Sequence, residues 1–208
     1  MEILKNFVVF EGPDGSGTTT QLGMLADFLL RRKSPIIHTT FEPTEGIIGK
    51  IIRQGLRNEI SLKPETIALL FAADRNEHLY GAGGVIEHCR QGQLVVSDRY
   101  VPSSLVYQGI TCGKELPMTL NRDFPGPELL LFFDLDPECA QKRMAGRRHK
   151  EIYEYLDFQI QVRGLYKALL PYFEEQGVKV HVIDASRSPE EVAAEVWRTI
   201  EKLPIIRG

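Results

Sequence analysis

Gly12-Pro13-Asp14-Gly15-Ser16-Gly17-Thr18-Thr19 is the stretch whose residue types and spacing most plainly suit chemistry. It reproduces the phosphate-binding pattern G-x-x-x-x-G-K-[ST] at every fixed position except the lysine, where Thr18 stands. Glycines at those positions let the backbone approach a ligand closely. A loop between a strand and a helix aims successive N–H groups, and the positive helix end, at an oxyanion. The Thr19 hydroxyl suits Mg²⁺, and Thr20 continues the loop into the helix. A lysine at position 18 would bring a cation to the phosphates that carry the charge of phosphoryl transfer. Its loss costs on the order of 10²–10³ in rate unless another group supplies that charge.

Two further constellations join the loop. Phe71 and Arg75 are four apart, so on a helix they share a face, one able to stack on a pyrimidine and the other to hydrogen-bond its edge. Asp98-Arg99 follows the apolar run Leu94 to Val96, and residues just past the carboxyl end of a parallel strand face the ligand crevice. There Asp98 can orient Mg²⁺ or its water, and Arg99 can hold an acceptor phosphate through a bidentate contact.

The elements that must position these residues alternate. Short apolar runs at Phe7 to Phe10, Pro35 to Ile37, Leu94 to Val96, Leu129 to Phe133 and Val178 to Ile183 read as strands buried on both faces. Helical spacing links Leu22, Leu25 and Leu29, and again Phe158, Val162, Leu165, Leu169 and Phe173. Another helix starts at Pro189. A long one opens at Pro64 and runs toward Cys89, and Gly81 to Gly84 weakens it because each helical glycine costs about 1 kcal/mol relative to alanine. Alternating strands and helices predict a three-layer α/β/α fold with a five-stranded parallel sheet.

Bulk properties narrow the function. The 208 residues are 43% hydrophobic and 25% charged, which suits one domain spanning 1–208 with a sizeable core. A net charge of -3 offers no broad basic field, so nucleic acid and membrane are not expected partners and an anionic ligand must be met by local charge. Cys89, Cys112 and Cys139 form no CxxC pair and read as reduced thiols, and no long apolar segment opens the chain, so a cytoplasmic protein is expected.

The order of motifs resembles the thymidylate kinase family. Phe10 to Gly17 with Thr19-Thr20-Gln21 is similar to its P-loop, with an aspartate inside the loop. Phe41-Glu42-Pro43-Thr44 resembles its Arg-Glu-Pro segment, Leu69 to Arg75 its base-reading helix, and Asp98-Arg99-Tyr100 with Ser103-Ser104 and Tyr107-Gln108 its signature. Asp134 to Glu138, Arg143 to Arg148, Tyr153-Glu154 with Phe158-Gln159, and Ile183 to Ser186 follow in the family's order. The resemblance implies a P-loop NTPase-type fold, transfer of the ATP γ-phosphoryl to dTMP giving dTDP, Mg²⁺, and a homodimer. It also implies that Asp14 reaches the sugar 3′-hydroxyl, that Tyr153 crowds its 2′ side, and that Ser104 and Gln108 contact the nucleotide and its base. A mobile lid is implied at about 142–153, with Arg143 on the donor nucleotide and Arg147 or Arg148 as the catalytic arginine, since Gly15 and Ser16 are not arginine.

Two positions depart from that pattern. Thr18 replaces the lysine, and Phe41 replaces an arginine that contacts the dTMP phosphate in many members. Some members instead carry a phenylalanine there and an arginine three residues on, where this chain has Thr44. Phe41 is kept among the expected substrate contacts. Arg53, Lys50, Lys142, Lys150 and the lid arginines are the candidate replacements. Three readings stay open: an active dTMP kinase, a nucleotide-binding protein of the same fold with weak or no catalysis, and a kinase for another monophosphate.

Overall fold

A computed structural model describes residues 1–32, 35–145, 152–153 and 155–207. In chain order the elements are β1 (Ile3–Glu11), α1 (Thr18–Arg32), β2 (Ile37–Phe41), α2 (Ile47–Leu56), α3 (Pro64–Tyr80), α4 (Val85–Arg90), β3 (Leu94–Asp98), α5 (Val101–Cys112), α6 (Glu115–Asn121), β4 (Gly126–Asp134), α7 (Pro137–Met144), α8 (Leu156–Glu175), β5 (Lys179–Asp184), α9 (Pro189–Ile200) and α10 (Pro204–Arg207). The strands form one parallel sheet in the order β2-β3-β1-β4-β5.

Period-two alternation distributes the core over both faces of the sheet. Val8, Phe10, Leu94, Val96, Leu129, Leu131 and Phe133 pack with Leu22, Leu25 and Leu29 of α1 and Val192 and Val196 of α9. Phe7, Val9, Val95 and Leu130 point the other way, onto Leu79 of α3, Val85 of α4, Leu105 of α5 and Phe173 of α8. This is the expected three-layer α/β/α arrangement with five parallel strands.

The two outer strands depart from the sequence reading. β2 begins at Ile37, two residues later than the apolar run suggests, and extends to Phe41. Both β2 and β5 are largely half-exposed or exposed rather than buried on two faces, because each has a neighbouring strand on one side only. The long helix also breaks: α3 ends at Tyr80, and the Gly81 to Gly84 turn restarts the chain as α4, with Gly83 at φ +69°. Capping fixes the helices nearest the site. Asp136 accepts from the Glu138 N–H at the start of α7, and Ser188 with Glu191 forms a reciprocal capping box on α9.

Candidate active site

The carboxyl ends of β1 and β3 lie side by side, with Phe10 paired to Asp98. The glycine loop and the Asp98-Arg99 turn therefore leave the sheet at one place. Gly15 and Gly17 take φ of +81° and +94°, which turn the backbone into the α1 N-terminus. Around that terminus lies a cavity of about 690 Å³, whose walls include Asp14 to Leu22, Phe41, Asp98, Arg99, Arg143 and Arg187. A second cavity of about 150 Å³ adjoins it, lined by Phe71, Arg75, Tyr107, Gln108 and Tyr153 among others. Asp14, Glu42 and Arg99 line both cavities.

Arg99 is built to stand between them. Its backbone adopts φ +77°, a left-handed conformation costly for a residue with a Cβ. Its Nη1 donates to the Gly12 carbonyl and to Tyr166 Oη (3.0 Å), and its Nη2 donates to Asp14 Oδ1 at 2.7 Å. A guanidinium has five N–H groups, so the Nε edge and one Nη2 hydrogen have no protein partner among the described residues. That edge has the geometry of a bidentate phosphate contact.

Glu11, at the end of β1, holds the turn from beneath. Fully buried, it accepts the N–H groups of Tyr100 (2.8 Å) and Ser103 (3.2 Å) on one oxygen, and the hydroxyls of Ser103 (2.6 Å) and Tyr166 (2.7 Å) on the other. Burial pushes its carboxyl up to about 7, against the pull of Arg99 and of these hydrogen bonds. Gln159 clamps Asp14 in turn: its amide donates to Asp14 Oδ2 (2.7 Å) and to the Tyr153 carbonyl (2.8 Å), and the Asp14 N–H donates back to its oxygen (3.0 Å).

On the loop side, the Thr19 hydroxyl donates to Asp98 Oδ2 at 2.5 Å, while the buried Asp98 Oδ1 has no partner among the described residues. A carboxylate oxygen left unpaired beside a hydroxyl, facing a phosphate loop, is a donor set that fits Mg²⁺. No cluster of three or more His, Cys, Asp or Glu among the described residues would hold a metal without help from substrate or water.

On the pyrimidine side, Arg75 is 1% exposed. Nε and Nη2 donate to Glu42 Oε2 at 2.9 and 2.6 Å, Nη2 to Ser104 Oγ at 3.0 Å, and Nη1 to Asn121 Oδ1. One Nη1 hydrogen has no partner among the described residues. Burial alone would raise the Glu42 carboxyl, but Arg75 and His78 outweigh it and hold it below the ordinary carboxylate range.

The expected site residues fall into groups. The structure brings together Asp14, Gly15, Ser16, Gly17, Thr18, Thr19, Thr20, Asp98, Arg99 and Arg143 around the larger cavity, and Phe71, Arg75, Gln108 and Tyr153 around the smaller. Gly12 reaches the site through its carbonyl on Arg99, and Pro13 lines neither cavity. Ser104 acts through Arg75, and Phe41, 41% exposed, stands on the wall of the larger cavity. Arg147, Arg148 and Lys150 lie outside the described residues.

Arg53 and Lys50 line neither cavity. Arg53 instead donates to the carbonyls of Pro43 and Thr44, both at 2.6 Å. Sequence reasoning gave no role to Glu11, Gln159, Tyr166 or Arg187. A carboxylate closing the apolar run Phe7 to Phe10 and abutting the first loop glycine was the available signal for Glu11.

The thymidylate kinase family profile matches residues 10–196. A protein of Treponema pallidum carrying the thymidylate kinase name is 43% identical over 195 residues, covering 92% of this chain and 93% of that protein. A "Probable thymidylate kinase" of Pyrobaculum aerophilum is 40% identical over 198 residues (95% and 97%), and one of Methanococcus vannielii is 40% identical over 198 residues (93% and 94%).

Proposed function

The chain belongs to the thymidylate kinase family, and on that footing we infer that it transfers the γ-phosphoryl of ATP to the 5′-phosphate of dTMP, giving dTDP. The observation that carries this reading is the pair of adjoining cavities with Arg99 and Asp14 in the wall between them. ATP fits the larger one, its phosphates on the loop N–H groups at the start of α1. dTMP fits the smaller one, with Phe71 and the remaining Arg75 N–H toward the base.

Each residue then has a defined task. The free edge of Arg99 holds the acceptor phosphate and brings its oxygen toward the donor, since transfer depends on positioning and charge more than on covalent help from the protein. Asp14, fixed by Gln159 and Arg99, faces the sugar, and Tyr153 closes the cavity beside it. Thr19 and Asp98 would hold Mg²⁺, which when bound neutralises charge on the transferring phosphates. Arg143 lines the donor side, and Arg147 and Arg148 carry the catalytic cation in this reading. The single domain with a lid near 142–153, the homodimer and the cytoplasmic setting belong to the same reading, supported by the family. No helix among the described residues is long and apolar enough to cross a membrane.

A coupled assay with dTMP, dUMP, dCMP, dGMP and dAMP, on wild type and Thr18→Lys, tests the function. Turnover is expected with dTMP first and the purine monophosphates last. Lysine should raise kcat by less than about tenfold if other cations already supply the charge, and by on the order of 10² if they do not. Absence of turnover with all five acceptors in both proteins refutes the kinase reading.

A further inference from the structure

Segment 42–44, which lacks the arginines that many family members carry around it, is fastened to α3 by three inward side chains, Asp74, Arg75 and His78. Asp74 accepts the Thr44 N–H and hydroxyl, both at 2.7 Å. Arg75 pairs with Oε2 of Glu42. His78, one turn further along α3, faces Oε1 of the same carboxylate through Nδ1 at 3.0 Å, and its Nε2 lies 2.6 Å from Thr40 Oγ1 on β2. The imidazole touches neither cavity.

We propose that His78 is a positioning residue for base recognition: Thr40, His78 and Glu42 form one hydrogen-bonded chain that fixes the Arg75 guanidinium so that a single N–H faces the substrate base. The proposal rests on the reading of Arg75 as the group that meets the base.

The donor inventory carries the argument. With the neutral imidazole protonated on Nδ1, His78 donates to Glu42 and accepts the Thr40 hydroxyl proton, so each polar atom along the chain has one consistent role. Glu42 is then paired on both oxygens: Oε1 takes His78 and Oε2 takes two N–H groups of Arg75. Among the described residues, four of the five Arg75 N–H groups are spent on Glu42, Ser104 and Asn121, leaving one on Nη1. A lone N–H selects a carbonyl oxygen at the base edge over an amino group. Without His78, Oε1 becomes a buried carboxylate oxygen in need of a donor. It then competes for that last Arg75 hydrogen, and the base loses its partner.

Steady-state kinetics with dTMP and dCMP would test this on wild type, His78→Phe, His78→Asn and Thr40→Val. Phenylalanine keeps the ring volume and removes both nitrogens, whereas the asparagine amide nitrogen stands where Nδ1 stood. His78→Phe should raise KM for dTMP about tenfold, the scale of one lost hydrogen bond to a charged group. Its kcat should stay within about threefold, and the dTMP:dCMP ratio of kcat/KM should fall by a similar tenfold. His78→Asn should restore both values to within about threefold of wild type. Thr40→Val should move both in the direction of phenylalanine, and it decides the matter if His78→Phe does not fold. Unchanged KM and discrimination, or equal damage from phenylalanine and asparagine, overturns the positioning role. Wild type that fails to prefer dTMP to dCMP overturns instead the reading of the cavity on which the proposal rests.

Discussion

Replacing Glu11 by glutamine should remove most of the protein's loss of stability between pH 4.5 and 7. The Glu11 carboxyl titrates at about 7 in the fold instead of its ordinary 4.5, because burial penalises the charge more than Arg99, Ser103 and Tyr166 relieve it. Within that window the unfolded chain has released the proton and the folded chain still holds it. Raising the pH therefore favours unfolding, by about 1.4 kcal/mol per pH unit. Across a gap of about 2.5 pH units the loss is on the order of 3 kcal/mol, fully developed above pH 7 and absent below 4.5. Glutamine never ionises. Its oxygen keeps the N–H groups of Tyr100 and Ser103, and its amide turns toward the hydroxyl oxygens of Ser103 and Tyr166. Glu42 and Asp134 titrate below their ordinary values, so their pH dependence falls outside the window and cancels between the two proteins. Urea unfolding of both proteins at half-unit steps from pH 5 to 8 measures the difference directly. A wild-type curve that falls relative to the variant by about 3 kcal/mol supports the account. Parallel curves, separated by a constant offset, refute the claim that Glu11 is buried as an uncomfortable charge.

Two other substitutions probe the two sides of the site. Asp98→Asn should leave the dissociation constant for dTMP within about threefold while lowering kcat by on the order of 10² and raising the Mg²⁺ concentration for half-maximal rate. A Mg²⁺ titration at saturating substrates measures this, and an unchanged titration curve would remove Asp98 from the metal set. Gly49→Ala puts a methyl group 1.9 Å from the Thr44 carbonyl oxygen, so α2 and segment 42–44 must separate. The helix-propensity gain of about 1 kcal/mol is outweighed by overpacking of about 1–3 kcal/mol and by displacement of Pro43 from the smaller cavity. A lower melting temperature together with a raised KM for dTMP is expected, and a raised melting temperature would contradict the close packing.

What the sequence disclosed and what it hid follow from different physics. β1, β3 and β4 announce themselves because strands covered on both faces need unbroken apolar runs. The outer strands β2 and β5 were found from the runs Pro35 to Ile37 and Val178 to Ile183, but His38, Thr39 and Thr40, or Lys179 and His181, hid the exposure of β2 and β5 and the extent of β2. The glycine loop, Phe71 with Arg75, and Asp98-Arg99 were legible because local spacing fixes their geometry. Glu11, Gln159, Tyr166 and His78 were not, since each gains its role only from a partner 36 to 155 residues away. The left-handed turn at Arg99 is equally invisible in composition, because arginine has no intrinsic preference for it.

Those hidden residues bear on the missing lysine. Thr18 sits buried at the head of α1 and offers no charge, so the cationic side chains that face the larger cavity bear on its replacement. Among the described residues these are Arg99, Arg143 and Arg187. Arg187 is held by Glu195 and Asp184, which offset its charge. Arg99 is paired with Asp14 and also lines the smaller cavity. Among the described residues Arg143 donates only to the Ser186 carbonyl, at 3.5 Å, and meets no carboxylate, and it stands at the end of α7 where the chain enters the segment bearing Arg147 and Arg148. Among the described residues, positive charge unpaired with a carboxylate therefore enters the larger cavity from its α7 side rather than from the loop. A kinase organised this way binds its donor with loop N–H groups alone and acquires the transition-state cation from a different element.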